Sequence, residues 1–199
     1  MKGFYFITDA ELSLAGSASD ITKALRAGAT MVQYRRKSGS SAALYAEALQ
    51  LKALCRNALF LVNDRLDIAL AVDADGVHIG QEDLPLPVVR RLLKPEKVIG
   101  VSVRSLAEAR KAEAEGADYL GVGPIFFTAT KADAGHPTGL ALLRQIREAC
   151  QLPLAAIGGI TLANAPEVIA AGADMICAIS AVVTAPDPEG AVRAFQKLF

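Results

Sequence analysis

Residues Glu115-Gly116-Ala117-Asp118-Tyr119-Leu120-Gly121-Val122 put a glycine where a helix would end and follow it at once with a short apolar run. The same joint returns at Ala171-Gly172-Ala173-Asp174, ahead of Met175 to Ile179, and at Ala27-Gly28-Ala29, ahead of Met31 to Arg35. Working outward, further short runs rich in Val, Ile, Leu or aromatics lie at Phe4 to Thr8, Leu59 to Val62, Gly76 to Ile79, Val98 to Val101, Tyr119 to Val122 and Leu154 to Ile157. Unbroken apolar runs of this length suit strands buried on both faces. The segments between them, such as Ser41 to Arg56 and Ser105 to Glu115, carry Ala, Leu, Glu, Arg and Lys at helical spacing. An open doubly wound sheet usually stops at about five or six strands. Eight strand and helix units predict a closed (β/α)8 TIM barrel of the α/β class instead. With 199 residues the loops must be brief, and no linker or second composition regime divides the chain. Residues 1–199 are therefore expected to form a single catalytic barrel domain.

Composition narrows the partners. Hydrophobic residues make up 52%, charged residues 21% and aromatics 6%, with no Trp, which excludes a disordered, collagenous or coiled-coil chain. Lys plus Arg total 21 and Asp plus Glu total 21, so no overall field exists to hold nucleic acid or an acidic membrane surface. An anion must be bound locally. Cys55, Cys150 and Cys177 are odd in number and far apart, which predicts reduced, buried thiols. The N-terminal residues lack the pattern of a signal peptide and no run of eighteen apolar residues occurs, so the chain is expected to be soluble and cytoplasmic. Apolar helix faces leave room for a homodimer.

In such barrels chemistry is assembled at the C-terminal ends of the strands, so the residues there carry the functional reading. Gln33, Arg35 and Lys37 alternate and project to one side, where two cations suit a phosphate, or where neighbouring carboxylates satisfy them. Arg36 reads as an outward, solvated charge. Asn63 and Asp64 can cap the next helix. Paired with Asp83 from the adjacent strand end, Asp64 can instead hold Mg2+ shared with substrate phosphates. Asp67, Asp73 and Asp75 read as structural, and His78 as a hydrogen-bonded core residue. Ser102 either donates to a phosphate or caps the helix that follows. The longest loop carries Thr128-Ala129-Thr130-Lys131, two hydroxyls and an ammonium on a segment able to close over a ligand, and nothing in the sequence pairs with its His136. Glycines 158 and 159 after the seventh strand let backbone N–H groups approach an oxyanion, in the usual phosphate position of this architecture. The set contains no nucleophile paired with a base, no Cys or His metal cluster and no Gly-x-Gly-x-x-Gly fingerprint. It asks for two phosphorylated groups and for cations that neutralise a departing pyrophosphate.

These motifs, in this order, resemble the thiamine phosphate synthase family. The resemblance rests on Tyr5-Phe6-Ile7-Thr8-Asp9, Val32-Gln33-Tyr34-Arg35-Arg36-Lys37, Val62-Asn63-Asp64, Gly76-Val77-His78-Ile79-Gly80-Gln81-Glu82-Asp83, Gly100-Val101-Ser102, Gly123-Pro124-Ile125-Phe126, Thr128-Ala129-Thr130-Lys131 and Ala156-Ile157-Gly158-Gly159-Ile160. It implies transfer of a pyrimidinylmethyl group from its diphosphate to the nitrogen of a thiazole phosphate, through a dissociative step, with release of pyrophosphate. It further implies that Gln33, Arg35, Lys37, Asn63, Ser102 and Lys131 hold the pyrimidine diphosphate, with Arg35, Lys37, Ser102 and Lys131 catalytic. Asp64 and Asp83 would hold Mg2+, and Thr128, Thr130, Gly159, Ile179 and Ser180 the thiazole phosphate. Tyr34, Met175 and Cys177 depart from the residues common in that family. The rival readings are a thiazole tautomerase, which tends to carry His where Pro124 stands, a non-catalytic precursor sensor, and a sugar-phosphate isomerase, which needs a base pair that is missing here.

Overall fold

In this computed structural model, residues 1–130 and 135–199 are described. The first half of the chain runs β1 (Gly3–Ile7), α1 (Ser17–Arg26), β2 (Met31–Tyr34), α2 (Ser41–Leu54), β3 (Leu59–Asn63), α3 (Leu66–Ala71), β4 (Gly76–Ile79) and α4 (Leu86–Leu92). The second half runs β5 (Val98–Val103), α5 (Leu106–Ala114), β6 (Tyr119–Val122), α6 (Gly139–Ala149), β7 (Leu154–Ile157), α7 (Ala165–Ala170) and β8 (Met175–Cys177). Two helices follow the last strand, α8 (Ile179–Val183) and α9 (Pro188–Gln196). Every strand pairs in parallel with the next, and Gly3 and Phe4 of β1 meet Met175 and Ile176 of β8 to close the barrel.

The strand alternation sorts the core into two layers. Outward residues such as Phe4, Phe6, Val32, Phe60, Val77, Ile99, Leu120 and Ile176 pack under the helices. Tyr34 belongs to that outer layer, stacked on Phe60 with its hydroxyl on Glu47, so its departure from the family pattern leaves the interior untouched. Inward residues Tyr5, Ile7, Met31, Leu61, Tyr119, Ala155, Met175 and Cys177 fill the barrel itself.

Three differences from the sequence reading have local causes. The final apolar run ends as a strand at Cys177, and Ile179 opens α8, because a short apolar run does not distinguish strand from helix. Arg36 is an ion-paired residue, its Nη1 2.6 Å from Glu47 Oε2, and not a free solvated charge. Neither Asn63 nor Asp64 caps α3, whose N-cap is Arg65. All three cysteines are buried and free, as expected, and burial pushes the Cys55 thiol up to about 12. No helix among the described residues is long and apolar enough to cross a membrane.

Candidate active site

A cavity of about 140 Å3 opens at the C-terminal ends of the strands. Nine residues singled out from the sequence line it: Gln33, Arg35, Asn63, Ser102, Thr128, Thr130, Gly159, Ile179 and Ser180. A larger hollow of about 770 Å3 lies at the opposite end, beside the starts of β1 to β3. Two of its polar side chains are committed to backbone groups, Lys52 to the carbonyls of Val72 and Asp73 and Asp75 to the Phe60 N–H. The mouth cavity lies at the strand ends where this architecture assembles its chemistry, and volume is the poorer guide.

The end of β2 behaves as its alternation predicts. Gln33 is buried and its Nε2 donates to the Tyr5 hydroxyl at 2.7 Å. Arg35 Nη1 donates to Asp9 Oδ2 at 2.8 Å, while the other Asp9 oxygen accepts the N–H groups of Glu11 and Leu12. Asp9 thus fixes the guanidinium at the rim without covering its remaining donors. Lys37 Nζ lies 3.0 Å from Asp64 Oδ2. Of the two readings offered for these cations, the structure shows the carboxylate partners, Asp9 for Arg35 and Asp64 for Lys37.

Asp64 adopts a left-handed backbone conformation, φ 60°, with its N–H on the His78 carbonyl at 2.8 Å. Such a conformation in a non-glycine residue costs energy and is tolerated best by Asn and Asp. Asp83 Oδ2 accepts the Gly80 N–H at 2.6 Å. Burial pushes the Asp83 carboxyl above the usual carboxylate range, and the Asp64 charge beside it adds to the shift, against Lys37. A carboxyl raised in part by the charge of an adjacent carboxylate marks a site with room for a positive charge. Among the described residues no group of three His, Cys, Asp or Glu side chains forms a complete metal-ligand set, so a cation here would draw further oxygens from substrate.

Ser102 lies within β5 and does not cap the next helix, a role that belongs to Ser105 through the Glu108 N–H. Its Oγ is 2.9 Å from His78 Nε2. The loop after β6 is joined to the turn after β7 by hydrogen bonds from the N–H groups of Ile125 and Phe126 to the carbonyls of Ile157 and Gly158. Thr128 Oγ1 accepts the Thr130 N–H, and Thr138 Oγ1 donates to the Pro124 carbonyl. Gly159 has φ +62°, and a Cβ there would lie 2.4 Å from the Phe127 carbonyl oxygen, so only glycine fits. Asn164 ties this turn down through the Gly159 carbonyl at 3.0 Å. Lys131 falls outside the described residues. His136 is exposed in the same loop.

The sequence reading missed Asp9 as the partner of Arg35 and the buried phenols Tyr5 and Tyr119. Their signal was an aromatic hydroxyl at an inward position of a strand, where it must find a hydrogen bond.

With this geometry in view, comparison with known proteins is decisive. A family model described as thiamine monophosphate synthase matches residues 4–182. The chain belongs to the thiamine monophosphate synthase family. It is 53% identical over 199 residues to the thiamine-phosphate synthase of Methanospirillum hungatei, covering 98% of this chain and 97% of that one. The synthase of Methanosarcina barkeri is 50% identical over 193 residues, covering 96% and 88%. A solved thiamine phosphate pyrophosphorylase from Pyrococcus furiosus superposes with a TM-score of 0.91 at 44% identity, covering 98% and 94%. A 3-hexulose-6-phosphate synthase, with a TM-score of 0.73 at 18% identity, shares the fold alone.

Proposed function

We propose that this chain is a thiamine-phosphate synthase, a transferase that joins 4-amino-2-methyl-5-(diphosphooxymethyl)pyrimidine to 4-methyl-5-(2-phosphoethyl)thiazole, or its carboxylate form, and releases pyrophosphate. The barrel over residues 1–199 is a single catalytic domain, working in the cytoplasm on small phosphorylated molecules without nucleic acid or membrane, with a homodimer as its assembly. The observation that carries this reading is the convergence of nine of the thirteen proposed site residues on one cavity, with Lys37, Asp64 and Asp83 grouped close by.

The pyrimidine diphosphate lies along Gln33, Asn63 and Ser102, with its phosphates toward Arg35, Lys37 and Lys131. Breaking the C–O bond moves negative charge onto the diphosphate, and cations fixed in advance stabilise that charge without reorganising. Asp9 keeps Arg35 in place for this. Asp64 and Asp83 would hold Mg2+, which supplies further neutralisation of the diphosphate when bound. The thiazole phosphate sits at Thr128, Thr130, Gly159, Ile179 and Ser180, which brings the thiazole nitrogen to the pyrimidine-stabilised cation. Covalent catalysis is unsupported, because burial pushes the Cys177 thiol at the cavity up and keeps it neutral. Pro124, at the tautomerase's histidine position, carries no transferable proton.

The test is pyrophosphate release by the purified protein from the pyrimidine diphosphate, with and without the thiazole phosphate, in Mg2+ and again in EDTA. Release that requires both substrates and the metal is expected. No release, with the thiazole phosphate still bound, would move the assignment to a tautomerase or a sensor.

A further inference from the structure

The inner wall of the mouth cavity contains a continuous line of hydrogen bonds drawn from five strands. Gln33 Nε2 donates to the Tyr5 hydroxyl at 2.7 Å, and that hydroxyl lies 2.8 Å from the Tyr119 hydroxyl. The Tyr119 hydroxyl lies 2.7 Å from His78 Nδ1, and His78 Nε2 lies 2.9 Å from Ser102 Oγ. Gln33, Tyr5, Tyr119 and His78 are all buried, while Ser102 is partly exposed where the line meets the cavity.

The barrel is shaped around this line. A Cβ at Gly100 would lie 2.0 Å from Tyr119 Cζ and 2.3 Å from its hydroxyl oxygen. A Cβ at Gly121 would lie 2.9 Å from His78 Cε1. Inward positions of β5 and β6 are left without side chains where the phenol and the imidazole pass. The two rings also stack edge to face and tilted on their neighbours, Tyr5 with Tyr119 at 5.8 Å and His78 with Tyr119 at 5.5 Å.

Counting donors gives the line one direction. An amide nitrogen only donates, so the Tyr5 oxygen accepts from Gln33, and the order that gives every phenol proton in the line an acceptor has Tyr5 donate to Tyr119. Burial pushes both phenols up, so each keeps a proton to give. Tyr119 therefore donates to His78 Nδ1, which must be the bare nitrogen of a neutral ring. Its Nε2 then carries the hydrogen and donates to Ser102 Oγ. The serine proton is then left over, on a hydroxyl that lines the cavity.

We propose that Tyr5, Tyr119 and His78 are positioning residues that hold Ser102 as a hydrogen-bond donor to the bound substrate. Resting on the reaction assigned above, the acceptor is an oxygen of the departing diphosphate. A hydroxyl that itself accepts from an N–H is a stronger donor, and the line strengthens it as charge grows on that oxygen. The other tautomer of His78 would consume the serine proton and present a lone pair to an anion, which repels it.

The chain has two histidines, so 15N-histidine labelling reads His78 against the exposed His136 as an internal reference. In the wild-type protein without substrate, Nε2 is expected to be protonated and Nδ1 bare. Tyr119→Phe keeps the ring and removes the donor, so the tautomers should mix, with kcat falling ~10-fold or more while KM for the pyrimidine diphosphate changes little. In a Ser102→Ala background the same substitution should cost nothing further. Tyr5→Phe, one step upstream, gives a second variant should the first fold poorly, with the same direction and a smaller loss. A wild-type ring protonated at Nδ1, or additive losses in the double variant, would overturn the proposal. An Nε2–H ring in a protein that releases no pyrophosphate would instead overturn the reaction and leave the polarity of the line standing.

Discussion

The two ends of this barrel use the same residue type for opposite ends. At the N-terminal end Asp75, Asp118 and Asp174 precede β4, β6 and β8, and each accepts the N–H of a residue on the preceding strand, Phe60, Ile99 and Leu154 respectively. Arg90 and Arg147 also bind Asp118 and Asp174 at 2.5 and 3.0 Å. These carboxylates are spent on closing the backbone ladder. At the C-terminal end Asp9, Asp64 and Asp83 face cations or each other, and Asp64 is held in a left-handed conformation to do so. Stability is stored at one end, and unspent charge at the other, as the architecture favours.

Substitutions sharpen that contrast in order of size. Asp64→Ala or Asp83→Ala should lower Mg2+-dependent pyrophosphate release by ~10³-fold or more while the thermal unfolding midpoint stays near that of the parent. Normal turnover in both variants would remove the metal from Asp64 and Asp83. Lys131→Ala should slow release by ~10²-fold, read as kcat at saturating substrate, if this lysine is one of the cations that neutralise the leaving group as proposed. At the other end, Asp118→Ala should cost about 1–3 kcal/mol in urea unfolding, by stranding the Ile99 N–H, with kcat unchanged. A kcat loss there would break the division between the ends. Smallest of all, Lys111→Ala removes an exposed pair with Glu115 at 3.9 Å and should shift stability by less than about 0.5 kcal/mol.

Much of this contrast was legible in the amino-acid order. The glycine joints at Gly28, Gly116 and Gly172 and the apolar runs after them located the strands, because a helix end and a buried strand each leave a local signature. The alternation of Gln33 and Arg35 placed both on the cavity, while Lys37 lies outside its lining, beside Asp64. The structural part assigned to Asp75 also holds. Partners across the barrel were not legible. Alternation says that Tyr5, His78 and Tyr119 point inward, yet which hydroxyl meets which nitrogen depends on strand register, with Tyr5 opposite Met31 and Gly100 opposite Tyr119. The helix α8 was hidden because Ile179 to Val183 continues the apolar run of β8 with only Ser180 interrupting it.

The contact between Gly159 and the segment Phe126 to Phe127 has a consequence for how this chain can change. A side chain at Gly158 would strike Pro124, and one at Gly159 would strike Phe126 and Phe127, so the turn after β7 and the loop after β6 interlock like two halves of a mould. Neither can be recast alone. A chimera that grafts one of these two segments from a divergent relative should misfit at the rim, while one that grafts both together should keep its shape, which makes the pair a single unit of inheritance.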